Sequence, residues 1–331
     1  MYNTKKIGLI LISCLFLLIF VYGVLLSKSI EHDNDSLIIN IPKNSDLNKV
    51  SNILNEHTNM NQTFFKVAMY MTFNQNNIKY GRYDFKYIRN TRDLINSITS
   101  SKSEKIKVTI PEGLRMQDIA LLLEENMGID VENFIYLCYD AELINSLDFN
   151  SDITNLEGFL YPDTYIFLKS YNERDIIEIL VETFKEKYSL VKSTELLLDE
   201  YEAVILASII QAESKFKTDM DTISSVFHNR LRDNQKLEAD PTIQYLLPKR
   251  KKRLLYKDID LYKDSPYNTY TNKGLPPTPI NSPGLDAINA ALYPPKTKYK
   301  FFVADGKGTH VFNYNIKGHN KSKRNAFRKF K

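Results

Sequence analysis

Glu213 ends an apolar run, Leu206-Ala207-Ser208-Ile209-Ile210-Gln211-Ala212-Glu213-Ser214. On a helix, residues three and four back share a face, so Ile210 and Ile209 would flank its carboxyl. Apolar surroundings disfavour the anion and raise the pKa. That suits a general acid near neutral pH. A Glu near a helix C-terminus also opposes the helix dipole, so helix stability does not explain it. The plainer alternative is a solvated helix-terminal Glu. Several stretches elsewhere combine acids, aromatics and turn formers: Glu157-Gly158-Phe159-Leu160-Tyr161-Pro162-Asp163-Thr164-Tyr165, Ala239-Asp240-Pro241-Thr242-Ile243-Gln244-Tyr245 and Ser265-Pro266-Tyr267-Asn268-Thr269-Tyr270. Gly274-Leu275-Pro276-Pro277-Thr278-Pro279-Ile280 and Ser282-Pro283-Gly284 add a loop in which Pro fixes φ. Rigid loops of this kind suit a neutral polyol. Rings stack on Tyr, while amides and hydroxyls bond sugar oxygens. Each stretch alone reads better as a structural turn; together, with a partly buried acid, they point to a carbohydrate cleft.

Other chemistries fit poorly. His32, His57, His228, His310 and His319 form no H-E-x-x-H pair and no zinc spacing with Cys. There is no G-x-S-x-G elbow and no Walker A loop. No metal and no cofactor are expected. Lys249-Arg250-Lys251-Lys252-Arg253 is a basic run, more often a solvated loop than a nucleic-acid site. Outside a membrane it could meet anionic lipid or wall polymer.

The elements that must position these residues begin with Ile7 to Leu26, 20 uncharged residues. As a helix this run spans about 30 Å, the thickness of a bilayer core. Lys5 and Lys6 precede it and place the N-terminus in the cytoplasm. The alternatives are a cleaved signal peptide, or a lipoprotein signal at Leu11-Ile12-Ser13-Cys14. The run is long for the first, and Cys14 is followed by apolar residues. Residues 1–6 read as cytoplasmic, 7–26 as a transmembrane helix and 27–37 as a linker.

A repeat follows at an offset of 69 residues. Ile41-Pro42-Lys43-Asn44 precedes Leu47, Val50, Ile53 and Leu54; Ile110-Pro111-Glu112-Gly113 precedes Met116, Ile119, Leu122 and Leu123. Both copies read as a strand, then helices. Gly81-Arg82-Tyr83-Asp84-Phe85 closes the first as a second strand. Such a βααβ unit resembles a LysM-like module, known for holding glycan; a plain packing unit with no ligand fits the same pattern. The region assigned is 38–150, with copies at about 38–87 and 105–150. Residues 151–331 form the second domain, with helices over Asn172-Glu173 to Tyr188, Tyr201 to Ser214 and Asp219 to Arg232. A hairpin turns at Asp305-Gly306-Lys307-Gly308, and a basic tail helix starts near Gly318. Cys138 sits in an apolar helical pattern and reads as core. The fold class expected is α+β, with a mixed α/β catalytic domain.

Composition agrees. The chain has 331 residues, net charge +4, two Cys and no Trp. Two Cys exclude a disulfide framework. From Lys296 to Lys331 there are 11 Lys or Arg against one Asp, so about +10 lies in the tail and −6 in the rest. This distribution suits anionic membrane and wall surfaces; nucleic acid is not expected. The absent Trp counts against a sugar site, but 21 Tyr and 18 Phe supply aromatic faces.

These motifs, taken in order along nearly the whole chain after the anchor, resemble the endolytic murein transglycosylases of the MltG (YceG-like) family. The matching stretches are the repeat unit IPEG, EGFLYPDTY, ASIIQAES, ADPTIQY, YNTY, GLPPTPI with SPG, and FFVADGKGTHVF with His319-Asn320. The resemblance implies a single-pass membrane enzyme that cleaves nascent peptidoglycan strands internally, leaving 1,6-anhydro ends. Its partners would be glycan strands, the membrane, and penicillin-binding proteins of the elongation or division machinery. The family's catalytic acid is the second acidic position of a motif usually written with two Glu. Here the first is Gln211 and the second Glu213, which argues that position 211 is not essential. Tyr267, Asn268, Thr269 and Tyr270, with Asp240 and Gln244, would position substrate, as would Glu157, Tyr161 and Asp163. Asn229 could orient the acid. The rivals are a muramidase using Asp163 or Asp240 to activate water, and a non-catalytic glycan-binding anchor.

Overall fold

The computed structural model describes all residues except 1, 32–37, 43–44, 86–87, 100–104, 150–152, 192–197, 215, 307 and 330–331, and the side chains of 2–12, 15, 18, 38, 40, 82, 84 and 327–329. Most of the expected linker, the Lys43-Asn44 of the first repeat and Lys307 of the hairpin turn therefore lie outside the described residues. The chain divides into two compact units, 1–106 with 166–172, and 107–165 with 173–331.

The first unit opens with α1 (Tyr2–Ser27), a 26-residue helix without a charged residue after Lys6. Among the described residues, to which the side chains of 2–12 do not belong, no helix is long and apolar enough to cross a membrane. Then come β1 (Ile38–Ile41), α2 (Leu47–His57), α3 (Gln62–Met71), β2 (Gly81–Asp84) and α4 (Thr91–Thr99). β1 and β2 pair antiparallel, Ile38 opposite Asp84 and Ile41 opposite Gly81. The strand–helix–helix–strand order expected of the first copy is present. Its helices start where side chains satisfy free backbone N–H groups. Asp46 accepts from Lys49 N at 2.8 Å, and Asn61 from Phe64 N at 3.1 Å. The i, i+4 pair Val50 and Leu54 packs with Phe65, Ala68 and Met69 against Ile39 and Ile41 of the sheet.

The second unit contains most of the second copy and the residues of the carbohydrate-cleft motifs. β3 (Lys105–Thr109) is followed by α5 (Met116–Met127), α6 (Val131–Tyr139) and α7 (Ala141–Ser146). The strand that pairs with β3 is β4 (Thr164–Leu168). Ile110 N donates to Asp163 O at 2.9 Å beside this pairing. The strand beside β3 thus begins at the end of the EGFLYPDTY stretch, and residues 107–165 belong to one compact unit with 173–331. Cys138 is buried in α6, as its apolar pattern indicates.

Next come α8 (Glu173–Ser189), α9 (Glu200–Glu213), α10 (Lys217–Arg232), α11 (Asp240–Leu246), α12 (Tyr256–Leu261), α13 (Leu285–Leu292), β5 (Phe301–Ala304), β6 (His310–Asn313) and α14 (Ile316–Lys329). α9 is the centre of this unit. A capping box starts it: Asp199 accepts from Glu202 N, and Glu202 accepts from Asp199 N. Every residue from Ala203 to Ile210 is buried. α13 packs closely on it because Ala287, Ala290 and Ala291 present small side chains, and α10 adds Ile223, Val226 and Phe227. The hairpin forms as the turn sequence indicates, with Phe301 opposite Asn313 and Ala304 opposite His310. The basic tail is helical, starting two residues before Gly318.

Gly158 shows how tightly the EGFLYPDTY stretch is held. Its φ is +89°, and an added Cβ would lie 2.5 Å from Pro279 Cβ and 3.1 Å from Val204 Cγ1. Gly158→Ala should therefore destabilise the protein by about 2–4 kcal/mol through backbone strain and overpacking. Urea unfolding checks this as a lower midpoint at unchanged slope.

Candidate active site

α9 leaves the core at its last turn. Gln211, Ala212 and Glu213 are half-buried after eight buried residues. Ser214 ends the helix with its N–H on Ile210 O at 3.1 Å, and its hydroxyl accepts from Phe216 N at 3.1 Å. The helix thus ends directly after Glu213. It lies in a cleft of about 760 Å³, lined also by Glu112, Arg115, Asp118, Gln211, Gln244, Tyr245, Lys249, Arg250 and Asn281. Among the described residues no group hydrogen-bonds the Glu213 carboxyl. Loss of hydration pushes its pKa up to about 8; the Asp240 carboxylate adds to the rise and the Arg250 guanidinium opposes it. Near neutral pH the group therefore favours its protonated form.

Three sets of contacts build the cleft around it. The Pro-rich loop is stapled to α9: Ile280 N donates to Ser208 Oγ at 3.0 Å, Asn281 Nδ2 to Ser208 O at 2.8 Å, and Gly284 N to Gln211 Oε1 at 3.0 Å. The IPEG turn joins the same loop, with Gly113 N on Ser282 O and Ser282 N on Leu114 O, both 2.8 Å. Gly284 makes room for Glu112, whose Oε1 would stand 1.9 Å from a Cβ there. Arg115 then crosses to α11, donating to Gln244 O at 2.6 Å and Tyr245 O at 3.2 Å and stacking over the Tyr245 ring. A cation is favourable at such a helix C-terminus.

Glu157 is the hidden member of this frame. It is 3% exposed. Its carboxyl accepts from Met116 N at 2.9 Å and from the Tyr245 hydroxyl at 3.3 Å. Burial pushes its pKa up to about 7, against those two hydrogen bonds and the Arg115 charge. It thus ties the start of α5 to Tyr245, one residue behind the cleft wall.

Of the residues read from sequence, the structure places Glu213 and Gln244 on the cleft lining. Gln244 does not present its amide freely: Nε2 donates to Lys251 O at 2.8 Å and Oε1 accepts from Lys251 N at 2.9 Å. Asp240 opens α11 and accepts the Tyr270 hydroxyl; burial and this contact raise the Tyr270 pKa. Asn268 is fully buried, with Nδ2 on Ile259 O and Tyr262 O. Thr269 is also buried; its hydroxyl accepts from Ala239 N at 3.0 Å and is bonded to Thr242 Oγ1 at 2.9 Å. Tyr267 bonds Thr278 Oγ1 at 2.7 Å. The YNTY loop therefore clips α11 and the Pro-rich loop in place. Asn229 holds Thr297 O and Tyr299 O, not the acid. Tyr161 is buried, its phenol pushed up to about 12 by desolvation. Asp163 is exposed and pairs with Lys187 at 3.5 Å. Among the described residues no His, Cys, Asp and Glu cluster could hold a metal ion. Glu112, Arg115 and Arg250 also line the cleft, although their types and spacing do not single them out; the IPEG repeat and the basic run are the sequence features that carry them.

Comparison with known proteins places this geometry in context. The YceG-like family model matches residues 39–325. An endolytic murein transglycosylase of Bacillus subtilis (strain 168) is 33% identical over 92% of this chain and 89% of its own length. Two endolytic murein transglycosylases of Streptococcus pneumoniae strains are each 27% identical over 86% of this chain, which spans 58% of their length. The crystal structure of a yceG-like protein from Listeria monocytogenes matches with 29% identity and a TM-score of 0.57, covering 87% of this chain and 98% of that one.

The raised pKa of Glu213 has a consequence for stability. A carboxyl raised in the folded state holds a proton that the unfolded chain releases above about pH 4.5, so its stabilising contribution is lost as pH rises towards 8. Glu213→Gln should therefore gain on the wild type between pH 5 and 8, by on the order of 3 kcal/mol. Glu157 titrates in the same window in both proteins and cancels from the difference. Paired urea titrations across that range check it; a constant difference would refute a perturbed Glu213.

Proposed function

The chain belongs to the YceG-like family, and on that premise we propose that it is a peptidoglycan lytic transglycosylase with Glu213 as its acid and base. The observation that carries this reading is one unbonded carboxyl, raised to about 8, lining a large cleft. A hydrolytic glycosidase normally needs two carboxyls, one of them to activate water or attack the sugar. Here Asp163 pairs with Lys187 away from the cleft lining, and Asp240 accepts the Tyr270 hydroxyl. A lytic transglycosylase needs one. Protonated Glu213 gives its proton to the glycosidic oxygen between N-acetylmuramic acid and N-acetylglucosamine as the C1–O bond breaks. The muramoyl C6 hydroxyl oxygen then bonds C1, and its proton passes to the Glu213 carboxylate. The acid is restored, a 1,6-anhydro end forms and no water is consumed. The 2-acetamido group of the muramoyl residue stabilises positive charge at C1.

The remaining chain fits this role. α1 anchors the enzyme in the cell membrane as a single span, with Lys5 and Lys6 holding the N-terminus in the cytoplasm. The first unit is a LysM-like glycan-holding module, supported by its βααβ order and by a cleft of about 390 Å³ lined by Asn48, Tyr70, Gln75 and Asn76. Cleavage inside nascent strands, beside the wall-synthesis machinery, would terminate glycan elongation.

Glu213→Gln should lower turnover at least 10²–10⁴-fold, the usual worth of a positioned acid–base group, while strand binding persists. Mass analysis of digested peptidoglycan checks the chemistry. Ends one water lighter than a hydrolysed muramic acid are expected; reducing muramic acid ends would overturn the proposal.

A further inference from the structure

The basic run 249–253 is exposed along its length, yet its middle is tied to the rest of the protein. Lys251 stays exposed, but its Nζ reaches 2.6 Å from the carboxylate of Asp258, which is 3% exposed. Asp258 also accepts from Leu255 N at 3.0 Å. The main chain of Lys251 is gripped on both sides by the Gln244 amide. The loop is thus pinned at its middle by two buried or half-buried partners. The two cations just before the pin, Lys249 and Arg250, line the same cleft as Glu213, and among the described residues neither has an ion-pair partner. Arg250 is near enough for its charge to act on the Glu213 carboxyl. The segment carrying Glu112 and Asp118 lines the cleft as well and would repel an anion.

A glycan strand itself is neutral. Its fixed anions are the carboxylates of the peptide stems on the muramoyl lactyl groups. We infer that loop 248–251 is a stem-recognition element, in which Lys249 and Arg250 bind stem carboxylates of the muramoyl residue held at Glu213, and Gln244 is the positioning residue that presents them. Arg can take a carboxylate through two parallel N–H···O bonds, and Lys adds a point charge. The inference rests on the proposed transglycosylase activity and names which feature of the strand the cleft selects.

The test compares uncrosslinked strands with the same strands after their stem carboxylates are converted to amides. The wild-type protein should show a kcat/KM roughly fivefold higher on the carboxylate form, a modest factor because both cations are exposed and screened. In Lys249→Ala/Arg250→Ala that ratio should fall to near one, mainly through KM. Gln244→Leu, which removes both bonds to Lys251, should lower the ratio too, whereas a merely structural role would slow both substrates equally. A wild-type ratio near one, or a ratio unchanged in the double variant, overturns the inference while leaving the transglycosylase reading intact. No anhydro ends from either strand would overturn the functional reading, and the inference with it.

Discussion

A carboxyl group kept largely out of water at the end of a helix resists ionisation, and the helix must be held there by something else. In this protein α9 is held by its other eight core residues, Ala203 to Ile210, all buried. Their apolar contacts with α10 and α13 fix the helix axis, and the Ser214 turn fixes its end. Glu213 then sits where the axis places it, with its pKa raised to about 8 by lost hydration. The charge-state preference and the position of the acid have one cause. A looser core would admit water, lower the pKa and move the group at once.

The second dependence is the staple between α9 and the loops. Ser208 and Gln211 bind the Pro-rich loop through three hydrogen bonds. Pro residues remove much of that loop's freedom before folding, so a few bonds suffice to fix it. The IPEG turn docks on the far end of the loop at Ser282, and Arg115 passes the constraint on to α11. Gln211 has a structural task in this chain: the amide accepts from Gly284 N, which an acid at that position could also do.

The repeat illustrates how one local pattern takes two roles. In the first copy the strand beside it is Gly81–Asp84, and the unit closes on its own core. In the second copy the partner strand is Thr164–Leu168, and the turn after Ile110-Pro111 becomes part of a cleft. Helical periodicity and the Ile-Pro stop are local properties and read the same in both. Strand pairing is not local, because many segments can offer an edge of similar composition.

Glu213 was legible because its carboxyl follows an apolar helical run, and desolvation can be inferred from neighbours three and four residues back. The hairpin at Asp305-Gly306 and the helices α8 to α10 were legible for the same reason: their signals are local. The tasks of the other polar residues were not. Asn268, Thr269 and Asn229 look like sugar ligands by type, yet each is buried and bonded to backbone 30 to 70 residues away or within its own loop. Glu157 looks like a cleft acid and instead receives Met116 N from 41 residues earlier. A side chain's type says which bonds it can make. Which partner is within 3 Å is set by long-range packing, so the sequence determined the acid and its helix, and the tertiary structure decided which neighbours frame the cleft and which face into it.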